Sequence, residues 1–358
     1  MTPVRILRML FWETTIRCNL SCVHCRRLES NEAGDADLST SEGEALIEQI
    51  ADLSHRQGQS PVLVFSGGEP LCRKDVFDLI AHARRRDLIA ALATNGTLID
   101  SDKARQIHDS GVARVSVSLD GADGYTHDGM RQVPGAFEQA IEGIRHLRKH
   151  GAAFQINITL TKQNASQLPQ VHELARSLGA AALHIFMLVP VGCGQTLAAT
   201  DMLSPGEYEE TLRLIYTLER ACPMQIKVTC GPHYERIKRR LPIEPTVANP
   251  QSRIRNPQSK GCLAGLGVLF VNHRGDVYPC GYLPVHCGNI LQTTLTQVWD
   301  ENEDLAQLRD ADDLEGKCGL CGYRHVCGGC RARAFGVTGN YMAEEPFCAY
   351  IPPTPRDA

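Results

Sequence analysis

Through its first 230 residues the chain alternates short β-branched runs with amphipathic stretches, and this repeat constrains the fold more than any other feature. The strand-like runs are Met9–Thr14, Val62–Phe65, Ile89–Thr94, Arg114–Leu119, Phe154–Leu160 and Leu183–Val189. Helical patterns lie between them. The clearest starts at Ser39, with Glu42 completing a capping box and Leu46, Ile47, Ile50 and Leu53 on one face. Others run at about Asp75–Arg86, Ser101–Ser110, Pro134–Lys149, Ser166–Leu178 and Pro205–Ala221. Parallel strands need crossover connections, so a β-then-α unit repeated six times predicts an α/β chain with a parallel sheet and helices outside.

Two strands carry more. Arg114–Asp120 puts Val115, Val117 and Leu119 on one face and Ser116, Ser118 and Asp120 on the other. Phe154–Thr159 does the same with Gln155, Asn157 and Thr159. Parallel strands are usually apolar on both faces. One reading is an edge strand with a wet face. The favoured reading is a barrel whose lumen holds a polar ligand.

The chain has 358 residues, net charge −4 and 43% hydrophobic content, enough for a large domain plus a smaller one. A slightly acidic balance argues against a nucleic-acid partner, and no apolar run reaches membrane-spanning length. The N-terminal stretch is broken by Arg5 and Arg8 and lacks a small-residue cleavage site, so a cytoplasmic location is expected. Fifteen cysteines in that setting read as metal ligands or catalysts rather than disulfides. Three fall at Cys18, Cys22 and Cys25, and eight at Cys262, Cys280, Cys287, Cys318, Cys321, Cys327, Cys330 and Cys348. Cys72, Cys193, Cys222 and Cys230 lie between without tight spacing and read as incidental. The expected division is a barrel over 1–235, a linker over 236–261 rich in Pro, Asn and Ser, and a Cys-rich region over 262–358. That last region shows one helix-like stretch, near Thr294–Leu308, and too little apolar surface to fold without metal.

Cys18-x3-Cys22-x2-Cys25 follows the first strand and supplies three thiolates, one short of a closed tetrahedral zinc site. His24 is the only neighbour able to close it, and its place between two cysteines points it away. An iron–sulfur cluster held by three thiolates keeps one iron open for a ligand; a zinc knuckle completed from elsewhere is the alternative. After the second strand, Gly67-Gly68-Glu69-Pro70 offers two glycines that let a ligand approach and a carboxylate able to accept from an ammonium group.

Together with Ser116-Val-Ser-Leu-Asp-Gly121 at the fourth strand, these motifs resemble the radical S-adenosylmethionine (radical SAM) superfamily over nearly the whole barrel region. The resemblance implies a partial (β/α)6 TIM-like barrel. It implies that Cys18, Cys22 and Cys25 hold a [4Fe–4S] cluster whose open iron chelates the methionine moiety of SAM. Gly67, Gly68 and Glu69 would meet the methionine amino group, and Asn95, Ser118, Arg131 and Asn157 the carboxylate and ribose. Arg131 lies in a His127–Arg131 loop. Reductive cleavage of SAM would yield a 5′-deoxyadenosyl radical, using an external low-potential electron donor. Catalytic side chains beyond these contacts are not identified.

The C-terminal cysteines resemble the SPASM extension of that superfamily, which carries auxiliary [4Fe–4S] clusters. The pattern implies one set of Cys318, Cys321, Cys327 and Cys348 and another of Cys262, Cys280 and Cys330, with Cys287 the candidate fourth ligand. The sequence departs from the usual pattern in having two residues, not three, between Cys327 and Cys330. Zinc is the alternative on spacing alone. Phe11-Trp-Glu-Thr-Thr15, His184-Ile-Phe-Met-Leu-Val-Pro-Val-Gly192, Thr229-Cys-Gly-Pro-His-Tyr234, Cys280-Gly-Tyr-Leu283 and Cys327-Gly-Gly-Cys-Arg-Ala-Arg-Ala334 look closest to the subgroup acting in haem b and haem d1 formation. That implies an oxidoreductase removing propionate carboxylates from an iron porphyrin, Fe-coproporphyrin III to haem b, with an auxiliary cluster as candidate electron exit. The alternatives are a maturase of a peptide or another tetrapyrrole, and a non-catalytic iron–sulfur or zinc scaffold. A fused peptide-recognition domain, commonly of roughly 80–100 residues, has no room before Cys18. His184 and His233 are weak candidates for the iron porphyrin, and Arg236, Lys238, Arg331 and Arg333 for its propionates.

Overall fold

The computed structural model describes residues 5–27, 37–241 and 260–353; most of the expected linker, 242–259, lies outside them. Seven parallel strands run β1 (Met9–Glu13), β2 (Val62–Ser66), β3 (Ile89–Thr94), β4 (Arg114–Ser118), β5 (Phe154–Leu160), β6 (Ala182–Met187) and β7 (Gln225–Thr229). The crossovers carry α1 (Thr40–Gln57), α2 (Val76–Arg85), α3 (Ser101–Asp109), α4 (Gly124–Arg131), α5 (Ala136–Lys149), α6 (Leu168–Leu178) and α7 (Pro205–Ala221). After α8 (His233–Arg240) come β8 (Val268–Val271), β9 (Asp276–Tyr278) and β10 (Gly288–Asn289), then α9 (Leu295–Glu301), α10 (Glu303–Arg309), α11 (Gly316–Gly319) and α12 (Arg331–Thr338).

All ten strands form one open sheet in the order β10-β9-β8-β1-β2-β3-β4-β5-β6-β7. The fold is the α/β partial barrel with a Cys-rich C-terminal region, with three departures from the sequence reading. A seventh strand, β7, adds beyond β6, because Ile226 and Val228 alternate with polar neighbours. The expected loop at His127–Arg131 is helical, capped by the Asp123 side chain accepting from Thr126 N. The described residues of the C-terminal region hold four helices instead of one stretch, Asn302 breaking the expected helix by capping α10. That region also continues the sheet, β8 lying parallel to β1 with Leu269 opposite Leu10.

Ser39 and Glu42 close the reciprocal capping box at the start of α1, and Leu46, Ile47, Ile50 and Leu53 are fully buried beneath it. Burial of each such side chain contributes about 1.5–3 kcal/mol. The strand residues facing the helices, such as Leu10, Trp12, Leu63, Phe65, Val115, Val117, Ile156 and Leu183, are buried and apolar. Ser116 and Ser118 pair with Gln155 and Asn157 on the other face, and Asn157 with His184. Both β4 and β5 are interior strands, so this polar face belongs to the lumen, not to a wet sheet edge. Among the described residues no helix is long and apolar enough to cross a membrane.

Candidate functional site

The loop after β1 is laced onto the end of β2. Thr14 donates N–H and hydroxyl to Ser66 O at 2.8 Å each. Gly68 N donates to Thr15 O at 2.7 Å and Glu69 N to Arg17 O at 2.8 Å. A Cβ on Gly67 would stand 2.7 Å from Thr15 O, and one on Gly68 would stand 2.4 Å from Arg17 O. The sequence reading gave these glycines to an approaching ligand. The space a side chain would fill is taken by the backbone leading into Cys18, so the glycines also seat the cysteine loop.

Glu69 is fully buried. Its carboxylate accepts from Leu71 N (3.1 Å), Thr94 Oγ1 (2.8 Å) and Asn95 N (2.7 Å). Burial nevertheless pushes its pKa up to about 7. Asn95 in turn donates Nδ2 to Asn19 Oδ1 at 2.9 Å and reaches Cys18 Sγ at 3.9 Å.

Each thiol of the loop meets an N–H donor. Leu20 N lies 3.4 Å from Cys18 Sγ, Arg131 Nη1 3.5 Å from Cys22 Sγ and Arg27 Nε 3.2 Å from Cys25 Sγ. Burial raises the Cys18 thiol to about 11 and also raises Cys22. Donors and two guanidinium groups aimed at sulfur suit an anionic thiolate assembly. Among the described residues no three Cys, His, Asp or Glu side chains converge on a single ion. A cluster asks for something else, one thiolate per iron corner, and the residues present fit it.

His24 does not join the thiols. Its Nε2 faces Asp120 Oδ2 at 3.1 Å. Asp120, fully buried, pairs with Arg131 Nη2 at 2.5 Å and accepts from Thr159 N at 2.8 Å. Burial disfavours its charge, yet Arg131 and His24 hold the carboxyl well below the usual range. Neighbouring His127 is pushed down to about 4, chiefly by burial, and accepts from Asp120 N at 3.1 Å. Sequence reasoning passed over Asp120 as a site residue; its signal was its place on the polar face of β4. Ser118 stands opposite Asn157, whose Oδ1 accepts from Gln155 Nε2 at 3.0 Å. Gly67, Gly68, Glu69, Asn95 and Ser118 therefore lie at the C-terminal ends of β2–β4, with Arg131 on the helix after β4 and Asn157 in mid-β5 opposite Ser118.

Cys318, Cys321, Cys327 and Cys348 line one pocket together with His233 and Arg236. Cys262, Cys280 and Cys330 are electrostatic neighbours of one another. Cys287 is not brought to them: its thiol donates to Val285 O at 3.5 Å, beside Asp304 and Arg309. Cys230, read as incidental, is instead an electrostatic neighbour of Cys330 and Cys280.

The cations expected to meet propionates have internal partners. Arg236 pairs with Glu209, Lys238 with Glu235 at 2.5 Å, and fully buried Arg333 with Glu345 at 2.8 Å. Arg331 Nη1 donates to Tyr341 O and Ala343 O. His184 donates or accepts at Thr229 Oγ1, 2.5 Å away, and burial pushes its pKa down to about 3. A second pocket, missed by the sequence reading, lies between the two cysteine regions and is lined by Glu13, Arg26, Arg27, Phe270, His273, Tyr278 and Cys280. Arg26 sits over the Phe270 ring at 4.4 Å and 3.7 Å from Glu13 Oε1.

Residues 12–175 match the Radical SAM superfamily and residues 262–330 the SPASM iron–sulfur cluster-binding domain. The chain is 42% identical to an AdoMet-dependent heme synthase of Methanosarcina barkeri, over 96% of this chain and 97% of that one. It is 31% identical to the Fe-coproporphyrin III synthase of the same organism, over 95% of this chain and 87% of that one. The solved structure of Streptococcus suis SuiB bound to S-adenosylmethionine shares the fold, with a TM-score of 0.73 at 17% identity over 97% of this chain and 78% of that one. The chain belongs to the radical SAM superfamily, as an enzyme with a C-terminal SPASM domain whose cofactors are [4Fe–4S] clusters and S-adenosylmethionine.

Proposed function

We propose that this enzyme oxidatively decarboxylates two propionate side chains of Fe-coproporphyrin III to the vinyl groups of haem b. The observation that carries the reading is the full-length likeness to heme synthases, at 42% identity, against 31% for the Fe-coproporphyrin III synthase. In this reading Cys18, Cys22 and Cys25 hold the SAM-binding cluster, supported by the N–H donors at all three sulfurs. Gly67, Gly68 and Glu69 are assigned to the methionine amino group, and Asn95, Ser118, Arg131 and Asn157 to the carboxylate and ribose of SAM; the support is the place of the first five at the strand ends, with Asn157 opposite Ser118 and Arg131 on the helix after β4. The barrel is taken as 1–235 and the SPASM region as 262–358.

When bound, the cluster and SAM supply one-electron cleavage of a sulfonium bond and a 5′-deoxyadenosyl radical that takes hydrogen from the substrate. The rest falls to this chain's side chains. Arg26 is assigned to a propionate, which a guanidinium binds through paired charge-assisted hydrogen bonds. Tyr278, half-buried on the wall of the same pocket, offers aromatic surface to a flat macrocycle. Loss of CO2 from the substrate radical would leave a vinyl group and release one electron per event, which an auxiliary cluster held by the C-terminal cysteines would accept; the low-potential donor for SAM cleavage is a separate partner.

Anaerobic titration with Fe-coproporphyrin III, read at the Soret band, tests the substrate. Saturable binding is expected. No binding, alongside saturable binding of another tetrapyrrole or a peptide, would overturn the assignment.

A further inference from the structure

His233 opens α8, and the turn before it is fixed by packing. A Cβ on Gly231 would stand 2.6 Å from Val228 Cγ1 on β7, and one on Gly261 would stand 2.6 Å from Pro232 Cβ. The turn is thus clamped between β7 and the segment entering Cys262. His233 itself is 1% exposed. Its ring packs edge-on against that of Tyr208, with centroids 5.1 Å apart at 68°. Tyr208 is pinned in turn, its hydroxyl donating to Cys230 O at 2.7 Å. Held in this way, His233 lines the pocket of Cys318, Cys321, Cys327 and Cys348.

Neither ring nitrogen of His233 has a hydrogen-bond partner among the described residues. The polar side chains around it are already engaged. Arg236 Nη1 donates to Glu209 Oε1 at 3.1 Å. The Glu345 carboxylate accepts from Arg333 Nε at 2.8 Å and from Cys330 N at 2.7 Å. A histidine ring carries at least one N–H in either protonation state, and leaving it buried and unbonded is costly. A phenyl ring would fill the same space without that cost. Two of the thiols already meet backbone donors, with Glu345 N 3.3 Å from Cys318 Sγ and Tyr323 N 3.4 Å from Cys321 Sγ. A [4Fe–4S] cluster on these thiols adds sulfide acceptors of its own, and hydrogen bonds to its sulfurs help to set its potential.

We propose that His233 donates a ring N–H to a sulfur of the cluster held by Cys318, Cys321, Cys327 and Cys348, and so raises the reduction potential of that cluster. An added electron makes the cluster more negative, so the bond from an N–H donor strengthens and the reduced form is favoured. His233 is then a positioning residue for the cluster and not a ligand of the porphyrin iron. This inference rests on the auxiliary-cluster reading and is independent of the porphyrin.

The test is a redox titration of the anaerobically reconstituted full chain, followed by electron paramagnetic resonance. His233→Phe should keep its iron and lower the equilibrium constant for reducing one auxiliary cluster at least tenfold, which is about 59 mV for one electron. His233→Gln, which retains an N–H donor, should lie nearer to wild type. In wild type carrying isotope-labelled histidine, the spin echo of a reduced auxiliary cluster should show a histidine-nitrogen modulation that His233→Gln lacks. An iron-replete His233→Phe with every cluster potential unchanged would overturn the proposal. So would a wild-type spectrum without that modulation, which decides the matter if the phenylalanine variant does not fold. Zinc in place of iron at these cysteines in the wild type would overturn the auxiliary-cluster reading as well.

Discussion

Arg131 ties the buried carboxylate of Asp120 to the thiol of Cys22, with Nη2 at 2.5 Å from Asp120 Oδ2 and Nη1 at 3.5 Å from Cys22 Sγ. A guanidinium in this position neutralises a charge on the barrel and still presents an N–H to a thiolate. Removing one partner of such a buried pair costs about 3–5 kcal/mol, because the other is left without compensation. Asp120→Asn should therefore lower unfolding stability by an amount of that order and weaken iron retention at the N-terminal cysteines. Chemical denaturation and iron analysis check both; an unchanged denaturation midpoint would contradict the role.

Gly68→Ala should damage the cysteine loop without unfolding the barrel. The new Cβ would stand 2.4 Å from Arg17 O and 2.5 Å from Ile16 O. Overpacking of this kind typically costs about 1–3 kcal/mol, and the movable element is the loop. Circular dichroism should be preserved while 5′-deoxyadenosine formation with dithionite and SAM falls steeply. Wild-type cleavage would contradict the seating role of the glycine.

His184 gives a pH dependence. Burial depresses its pKa from 6.5 to about 3, so the folded chain holds it neutral. As pH falls through 6.5 toward 3, the unfolded chain takes up a proton that the folded chain does not, and stability is lost over that window. Above the unfolded pKa the group contributes no slope. His184→Gln should lose less melting temperature than wild type between about pH 7.5 and about pH 5.5, measured by scanning calorimetry. Parallel pH profiles would contradict the assignment.

Arg26→Gln tests the porphyrin cavity. A hydrogen bond to a charged group contributes about 1.5–3 kcal/mol, which is roughly tenfold or more in Kd. The variant should bind Fe-coproporphyrin III that much more weakly while cleaving SAM at the wild-type rate. Unaltered porphyrin affinity would remove Arg26 from the substrate site.

The strands β1 to β6 were legible because their apolar faces recur with period two between capped amphipathic helices, as at Ser39 and Glu42. The metal character was legible in cysteine spacing. What escaped were relations between distant segments. Nothing in the sequence signals that Cys230 meets Cys330, since 100 residues separate them and only the fold joins their carbonyl and amide through Arg333 and Glu345. Nor does spacing show that Gly67 and Gly68 are filled by backbone from Thr15–Arg17. Cys287 misled for the same reason: it was the eighth thiol of the C-terminal region and completed a count of two four-ligand sets, but its thiol turns to Val285 instead.

The central claim is propionate decarboxylation, and one measurement tests it most directly. The chain is incubated anaerobically with SAM, reductant and Fe-coproporphyrin III, and the porphyrin is followed by mass together with 5′-deoxyadenosine. The account predicts two successive losses of HCOOH, each accompanied by one 5′-deoxyadenosine, ending at haem b. An unchanged porphyrin mass with SAM still being cleaved would contradict it.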